Sequence, residues 1–295
     1  MTRFSKLAAH LLCAAAFVSS LSLSMAAFAR HATAADTTVK PLEIGIIPHF
    51  STQALFAAYQ PMRLYLEGHL GRPVILLTAP DFKTFYERTG KGDYDLAITP
   101  PHLARLAEIE SGYVPLTTYQ NESGALLLVA KNSPIKTVAE LRGKTIGMPD
   151  LLALAPMAGR HWLAQRGLKA HVDYTLRITA PHNTAVLSVM RGDTDAAIVG
   201  SGPYRLMPTE LRDGVRILAN VGTVMSATFM AHPRLSADER TRIKGALLAF
   251  GNESPQGKKF VKDNEFGGMK SLSSRDLKTM DRYAKEAKFL LQSTK

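Results

Sequence analysis

The sequence predicts an α/β chain folded as two lobes that face each other across a ligand cleft. Runs of β-branched residues alternate with stretches of helical apolar spacing from Leu42 onward, and the connections between them are short. Two stretches also resemble each other: Gly90-Lys91-Gly92-Asp93-Tyr94-Asp95-Leu96-Ala97-Ile98 and Arg191-Gly192-Asp193-Thr194-Asp195-Ala196-Ala197-Ile198. Each ends a helix, turns on Gly-Asp and passes through a second Asp into a strand. Such turns are common in α/β proteins, because glycine supplies the left-handed conformation and Asp accepts backbone N–H bonds. One in each half of the chain favours two similar lobes. About 255 residues follow the leader, enough for one large domain or two medium ones.

The chain starts with an export signal. Residues 1–10 carry Arg3 and Lys6 and no acid, and residues 11–29 are apolar except for serines and Cys13. The run closes on Ala27-Phe28-Ala29, a cleavage pattern, with Ala32-Thr33-Ala34 as a second candidate. Residues 1–29 therefore read as a signal peptide and 30–40 as a polar leader, which places the mature protein in the periplasm. An uncleaved anchor fits less well, since serines near Leu21 and Leu23 weaken the apolar stretch. Acylation of Cys13 is set aside because Cys13 lies close to the charged start and lacks the usual small residue before it. Cleavage removes the one cysteine of the chain, leaving no disulfide and no thiolate nucleophile or metal ligand.

The formal charge of +11 becomes +9 without Arg3 and Lys6, with 34 Lys and Arg against 25 Asp and Glu. That excess suits an anionic ligand or a membrane surface. Nucleic acid is not expected, because no basic run is interleaved with aromatics.

The body then reads in order. Leu42–Ile47 is a strand closed by Pro48, and Thr52–Leu70 is a helix that Pro61 bends or divides. Val74–Thr78 is a strand, Asp81–Thr89 a helix, Tyr94–Thr99 a strand and Pro100–Ser111 a helix. This repetition predicts a mostly parallel sheet covered on both faces. Tyr113–Tyr119 and Ala125–Lys131 are adjacent extended runs, and the first lobe boundary is placed there. A second series follows: a short helix at Ile135–Leu141, strand Lys144–Met148, helix Ala155–Arg166, strand Tyr174–Thr179, helix Asn183–Met190 and strand Asp195–Val199. Val215–Ala219 and Thr228–Ala231 are the last strands. From Ser236 the chain is helical, broken near Pro255 and Gly267-Gly268, and Ser236-x-x-Glu239 is a capping box.

Ligands of such sheets sit at the carboxyl ends of strands, here in the groove between the lobes. His49 and Phe50 follow the first strand, with Ser51 as a helix cap. Thr99 and His102 follow another, at a helix start where Pro100 and Pro101 remove two donors. Ser201 and Tyr204 hold the corresponding place in the other lobe. His182 and Asn183 follow a further strand, with Asn183 expected to cap the helix. Met148–Gly159, where a hydroxyl-rich turn would cradle an anion, is apolar except for Asp150. It either packs as core or lines a pocket with an apolar, acidic wall.

No catalytic pattern emerges. Ser123-Gly124 lacks the nucleophile elbow, and glycine-rich nucleotide loops and H-E-x-x-H are absent. His49, His102, His161 and His182 with Met148 or Met157 keep a haem or metal ligand as a minor reading. No cofactor and no enzyme activity are expected.

At these residues the chain resembles the phosphate/phosphonate-binding-like periplasmic solute-binding proteins of ABC transporters, which have the type II, transferrin-like fold. The resemblance covers about residues 41–250. It rests on Leu42–Pro48, Tyr65-Leu66-Glu67 through Gly71, Pro73 and Val74, and Gly92-Asp93-Tyr94-Asp95-Leu96-Ala97. It continues through Ile135–Leu141 with Gly143-Lys144, His182-Asn183-Thr184-Ala185 and Gly192-Asp193-Thr194-Asp195-Ala196-Ala197. It implies two crossover hinge strands, a first lobe of 41–125 completed by 221–295, a second lobe of 126–220, and closure on a ligand. It further implies a monomer that delivers its ligand to an inner-membrane ABC permease. The family's histidine corresponds to His182 and its acidic residue to Asp195, whereas Asp150–Ala155 lacks the family's hydroxyl cradle. The alternative of another class is an exported ligand-sensing module that docks onto a sensor kinase without transport.

Overall fold

The structure, a computed structural model, describes residues 40–293. The expected signal peptide, Cys13 and leader residues 30–39 lie outside the described residues.

Strand β1 (Leu42–Ile46) buries Leu42, Ile44 and Ile46 completely. Ser51 Oγ then accepts the Ala54 N–H and starts helix α1 (Thr52–Leu70). Pro61 lies within α1 without dividing it. The carbonyl that Pro61 deprives of a partner belongs to exposed Ala57, where water can serve it. Strand β2 (Val74–Leu77), helix α2 (Phe82–Lys91), strand β3 (Leu96–Thr99), helix α3 (Pro101–Ser111) and strand β4 (Val114–Tyr119) follow. Strand β5 (Ser123–Ala130) leads through a 3₁₀ turn (Val138–Leu141) to β6 (Thr145–Met148) and α4 (Leu154–Ala164). Next come β7 (Thr175–Ile178), α5 (His182–Met190), β8 (Ala196–Gly200) and the short helices α6 (Ser201–Arg205) and α7 (Thr209–Asp213). Strands β9 (Val215–Val224) and β10 (Thr228–Ala231) precede α8 (Ala237–Asn252), α9 (Pro255–Asp263), β11 (Met269–Ser271), α10 (Ser274–Leu277) and α11 (Asp281–Ser293).

These strands form two sheets. The first has six strands in the order β11-β4-β10-β3-β1-β2, and the second five in the order β7-β6-β8-β5-β9. The chain passes from the first to the second between Tyr119 and Ser123 and returns between Val224 and Thr228. This is the two-lobe, type II periplasmic binding protein fold with two crossing strands.

Four details correct the sequence reading. The sheets are mixed rather than mostly parallel. β1, β2 and β3 run parallel, as do β6, β7 and β8, but β10 lies antiparallel to β3 and β4, and β5 antiparallel to β8 and β9. Strands that cross between sheets enter against their neighbours. Residues 135–141 make only a 3₁₀ turn, and β11 is a strand hidden among helices. Its three residues are too few to show a period of two; pairing with β4 makes it a strand. The third strand of the carboxyl half, β9, extends to Val224 and thus reaches the crossing.

The core sits against both sheets. One cluster joins Leu152, Ala153 and Met157, from the segment after β6, to Phe82, Leu103 and Ala104 of the first sheet's helices. Leu152 thus reaches across from the second sheet to the first. Helix α11 buries Ala284 and Ala287 and packs along α3.

Candidate ligand cleft

A cavity of about 110 Å³ lies between the two sheets. Its walls are the carboxyl ends of strands and the helix starts that follow them: Ile47 and His49 after β1, Pro100 and Pro101 after β3, and Ala153, Leu154 and Ala155 after β6. His182, Gly200 and Gly202 close it from the second sheet, and Val224–Ala227, the returning crossover, from behind. Tyr59, Tyr119, Phe266 and Met225 complete an aromatic and thioether side. Among the described residues, no Asp, Glu, Lys or Arg lines this cavity.

The two histidines on the wall present opposite faces of the hydrogen-bonding code. His49 Nδ1 lies 2.8 Å from the Ile47 carbonyl oxygen, which only accepts, so Nδ1 carries the proton and Nε2 is the acceptor. The Gly200 N–H donates to His182 Nδ1 at 3.4 Å, so His182 Nε2 carries the proton. Burial lowers the His49 pKa to about 4, with the bond to Ile47 opposing. Burial, reinforced by repulsion from His49, lowers that of His182 to about 3. Both rings are neutral at pH 7.

Glycines let the second sheet's backbone approach closely. A side chain at Gly124 would meet the Gly222 carbonyl oxygen at 2.5 Å. The N–H groups of this wall are used internally: Gly124 donates to Ser201 Oγ at 2.8 Å and Gly202 to Ser123 Oγ at 3.3 Å. On the opposite side Tyr119 stacks on Phe266 with centroids 3.9 Å apart. The Tyr119 hydroxyl is buried near that of Tyr59, yet makes no hydrogen bond of ordinary geometry. Burial pushes the Tyr59 phenol up to about 12 and holds that of Tyr119 well above its ordinary value, so both keep their protons.

Of the sequence-predicted residues, His49 and His182 reach the cavity wall. Phe50 packs behind His49 at 4.7 Å between ring centroids, within the core of the first sheet. Thr99 is buried, and its carbonyl accepts the Thr228 hydroxyl, joining β3 to β10. His102 is fully buried; its Nε2 donates to the Leu152 carbonyl at 2.8 Å across the lobes, while Nδ1 has no partner. Asp150 folds back to accept the Leu152 N–H at 2.7 Å; burial raises its pKa, and Asp81 across the lobes raises it further. Ser201 stands one layer behind the wall, and Tyr204 packs on the core with its hydroxyl donating to Arg212. Asn183 does not cap α5. Pro181 is the N-cap, with no side-chain bond, and Asn183 Oδ1 is buried unpartnered. Asp195 opens β8 at the end remote from the cavity, where it accepts the Thr145 N–H. Five residue steps along the strand separate it from Gly200, roughly 16 Å.

His102 and His161 are engaged elsewhere, His161 with Glu286. Among the described residues no group of three or more His, Cys, Asp or Glu is placed to hold a metal. Sequence reasoning missed Tyr59, Tyr119 and Phe266. Tyr119 ends β4, so the strand-end rule pointed to it, whereas Tyr59 was indistinguishable from a core residue of α1 and Phe266 lies in a loop.

Residues 44–277 match the family described as ABC transporter, phosphonate, periplasmic substrate-binding protein. Among solved structures, the chain is similar to the PhnD1 protein of Prochlorococcus marinus in complex with methylphosphonate. The identity is 13%, with 84% of this chain and 98% of that one covered, and the TM-score is 0.74. A binding protein component of an ABC phosphonate transporter from Pseudomonas aeruginosa matches at 16% identity over 85% and 88% of the two chains, TM-score 0.73. The periplasmic aliphatic sulphonate binding protein SsuA of Escherichia coli matches at 18% identity over 87% and 94%, TM-score 0.59. At these identities the structural likenesses speak to the fold.

Proposed function

The chain belongs to the periplasmic substrate-binding proteins of phosphonate ABC transporters, and from that premise we propose that its own solute occupies the cavity between the sheets. The observation that supports this reading is the convergence of strand ends from both sheets, and of His49 and His182, on one cavity. The signal peptide 1–29 exports the chain, and the mature monomer carries solute to its inner-membrane permease without chemistry. The lobes, 41–125 with 221–295 and 126–220, close about the two crossings. The sensing-module alternative has no observation of its own behind it.

His49, His182 and the Tyr59–Tyr119 pair are the contacts in this reading. His182 offers a donor and His49 an acceptor, so a ligand carrying both kinds of group is oriented between the lobes. Holding both lobes through one ligand is what couples binding to closure.

The test is purification of the mature protein from the exported fraction, with native followed by denaturing mass spectrometry to release and identify a bound small molecule. Calorimetry with the released compound should give saturable binding that His182→Ala weakens and Asp150→Ala leaves within about threefold, since Asp150 is spent on the Leu152 N–H. Small-angle scattering should show compaction on saturation. Binding without compaction would refute closure.

A further inference from the structure

We propose that the solute of this cleft is a small uncharged molecule with a mainly apolar body and one polar group, rather than an oxyanion. This rests on the reading of the cavity as the solute site and narrows its chemistry.

An oxyanion needs a dense set of donors, and helix N-termini are the usual source. Here prolines thin that source at four of the helices that open toward the cavity. Pro100 and Pro101 stand at the N-cap and first position of α3, Pro156 in the first turn of α4, Pro181 at the N-cap of α5 and Pro203 in the first turn of α6. Each removes an N–H from the group that would face an anion. The glycine wall is spent as well, since Gly124, Gly200 and Gly202 donate to Ser201, His182 and Ser123. Among the described residues no Lys or Arg lines the cavity to balance a charge. An unbalanced anion enclosed there loses far more hydration than the remaining donors restore.

What remains suits a neutral molecule. Ile47, Phe82, Leu154, Leu206, Met225 and Phe266 offer apolar contact. His49 on the wall leaves its Nε2 as an acceptor and His182 leaves its Nε2–H as a donor, which together serve one polar group of the ligand. The volume of about 110 Å³ is below the roughly 150 Å³ that accommodates benzene, so the body is a small ring or branched alkyl group.

The test is titration calorimetry of the exported protein, freed of bound solute, with four probes: cyclopentanol and tert-butanol as neutral molecules, methylphosphonate and inorganic phosphate as oxyanions. Saturable heat is expected from a neutral probe and none from either anion at tenfold higher concentration. His49→Leu should weaken cyclopentanol by about five- to tenfold and leave cyclopentane, which lacks the hydroxyl, unchanged, a split that general loss of folding would not produce. Saturable binding of methylphosphonate or phosphate, lost in His182→Ala, would overturn the inference and leave the receptor reading intact. Binding by none of the four, with no molecule released from the freshly purified protein, would overturn both.

Discussion

Asp95 and Asp195 occupy equivalent places in the two sheets. Asp95 Oδ2 accepts the Glu43 N–H at 3.0 Å and its own N–H donates to the Glu43 carbonyl; Asp195 Oδ2 accepts the Thr145 N–H at 2.8 Å and its N–H donates to the Thr145 carbonyl. Each side chain thus closes the open edge between its strand and the neighbouring parallel strand, β1 for Asp95 and β6 for Asp195. The Gly-Asp turns before them carry glycines with φ of 78° and 77° at Gly92 and Gly192. The likeness between the two stretches of sequence is a likeness of backbone plumbing at the end of each lobe remote from the ligand.

The two differ in environment, and that difference is measurable. The Asp95 side chain is 4% exposed and paired with Arg234 at 2.7 Å, while that of Asp195 is 39% exposed with Lys144 only at 3.8 Å. Asp95→Ala should cost about 3 kcal/mol in urea denaturation, because it strands the Glu43 N–H and the Arg234 guanidinium. Asp195→Ala should cost about 1 kcal/mol, a hydrogen bond that water largely replaces. Equal costs would contradict the account.

Leu152 and His102 form a latch between the lobes. Leu152 comes from the second sheet's side and is buried among Phe82 and Leu103, and its carbonyl accepts the His102 Nε2 proton. Leu152→Ala should destabilise the chain by about 2–4 kcal/mol. It should also enlarge the radius of gyration of the ligand-free protein in small-angle scattering, because the lost contacts lie between lobes. A loss of stability with no change in radius would place Leu152 in one lobe's core alone.

The fold was legible because its signals are local. Ser51 and the Ser236–Glu239 box announce helix starts, and strand runs such as Leu42–Ile46 place Leu42, Ile44 and Ile46 on one face. The site was legible only where a side chain sits directly after a strand, as His49 and His182 do. Asp195 entered the candidate site through the family resemblance alone; it opens β8, roughly 16 Å from the strand's cavity end at Gly200. Tyr59 and Phe266 reach the cavity through packing between distant segments, which leaves no local trace. Pro181, not Asn183, holds the N-cap position of α5, since the chain enters that helix two residues earlier than side-chain capping chemistry suggests.

Buried neutral histidines fix the sign of one pH dependence. Burial holds His102 near 4 and His182 near 3, against about 6.5 in the unfolded chain. Between pH 6.5 and 4 the unfolded state therefore binds more protons than the folded state, and stability falls as the pH falls. Each histidine contributes about 1.4 kcal/mol per pH unit within that window and nothing above it. Chemical denaturation from pH 7.5 to 4.5 should show this slope, and His102→Asn should reduce it by one proton. A slope unchanged by that substitution would mean that His102 is not held neutral in the fold.

The C-terminal helix ties the two lobes from outside. On one side Arg105 of α3 pairs with Asp281 at 2.7 Å and Lys288 with Glu110 at 2.7 Å. On the other, Glu286 accepts from Arg160 at 2.5 Å and from His161 Nε2 at 2.7 Å, both on α4. Arg282 donates to His161 Nδ1, which leaves His161 Nε2 as the proton-bearing nitrogen that faces Glu286. These groups are partly exposed, so Glu286→Ala should cost only about 1 kcal/mol of overall stability. Its effect on lobe geometry should be larger than that figure suggests, because α11 packs along α3 of the first lobe while Glu286 reaches Arg160 and His161 of the second. A loss of about 1 kcal/mol of closed-state preference multiplies the open-to-closed ratio by roughly five. Scattering from the ligand-free variant should therefore show a larger radius than wild type, and Arg160→Ala should reproduce it. Wild-type radius in both variants would show that α11 rides on the first lobe without restraining the second.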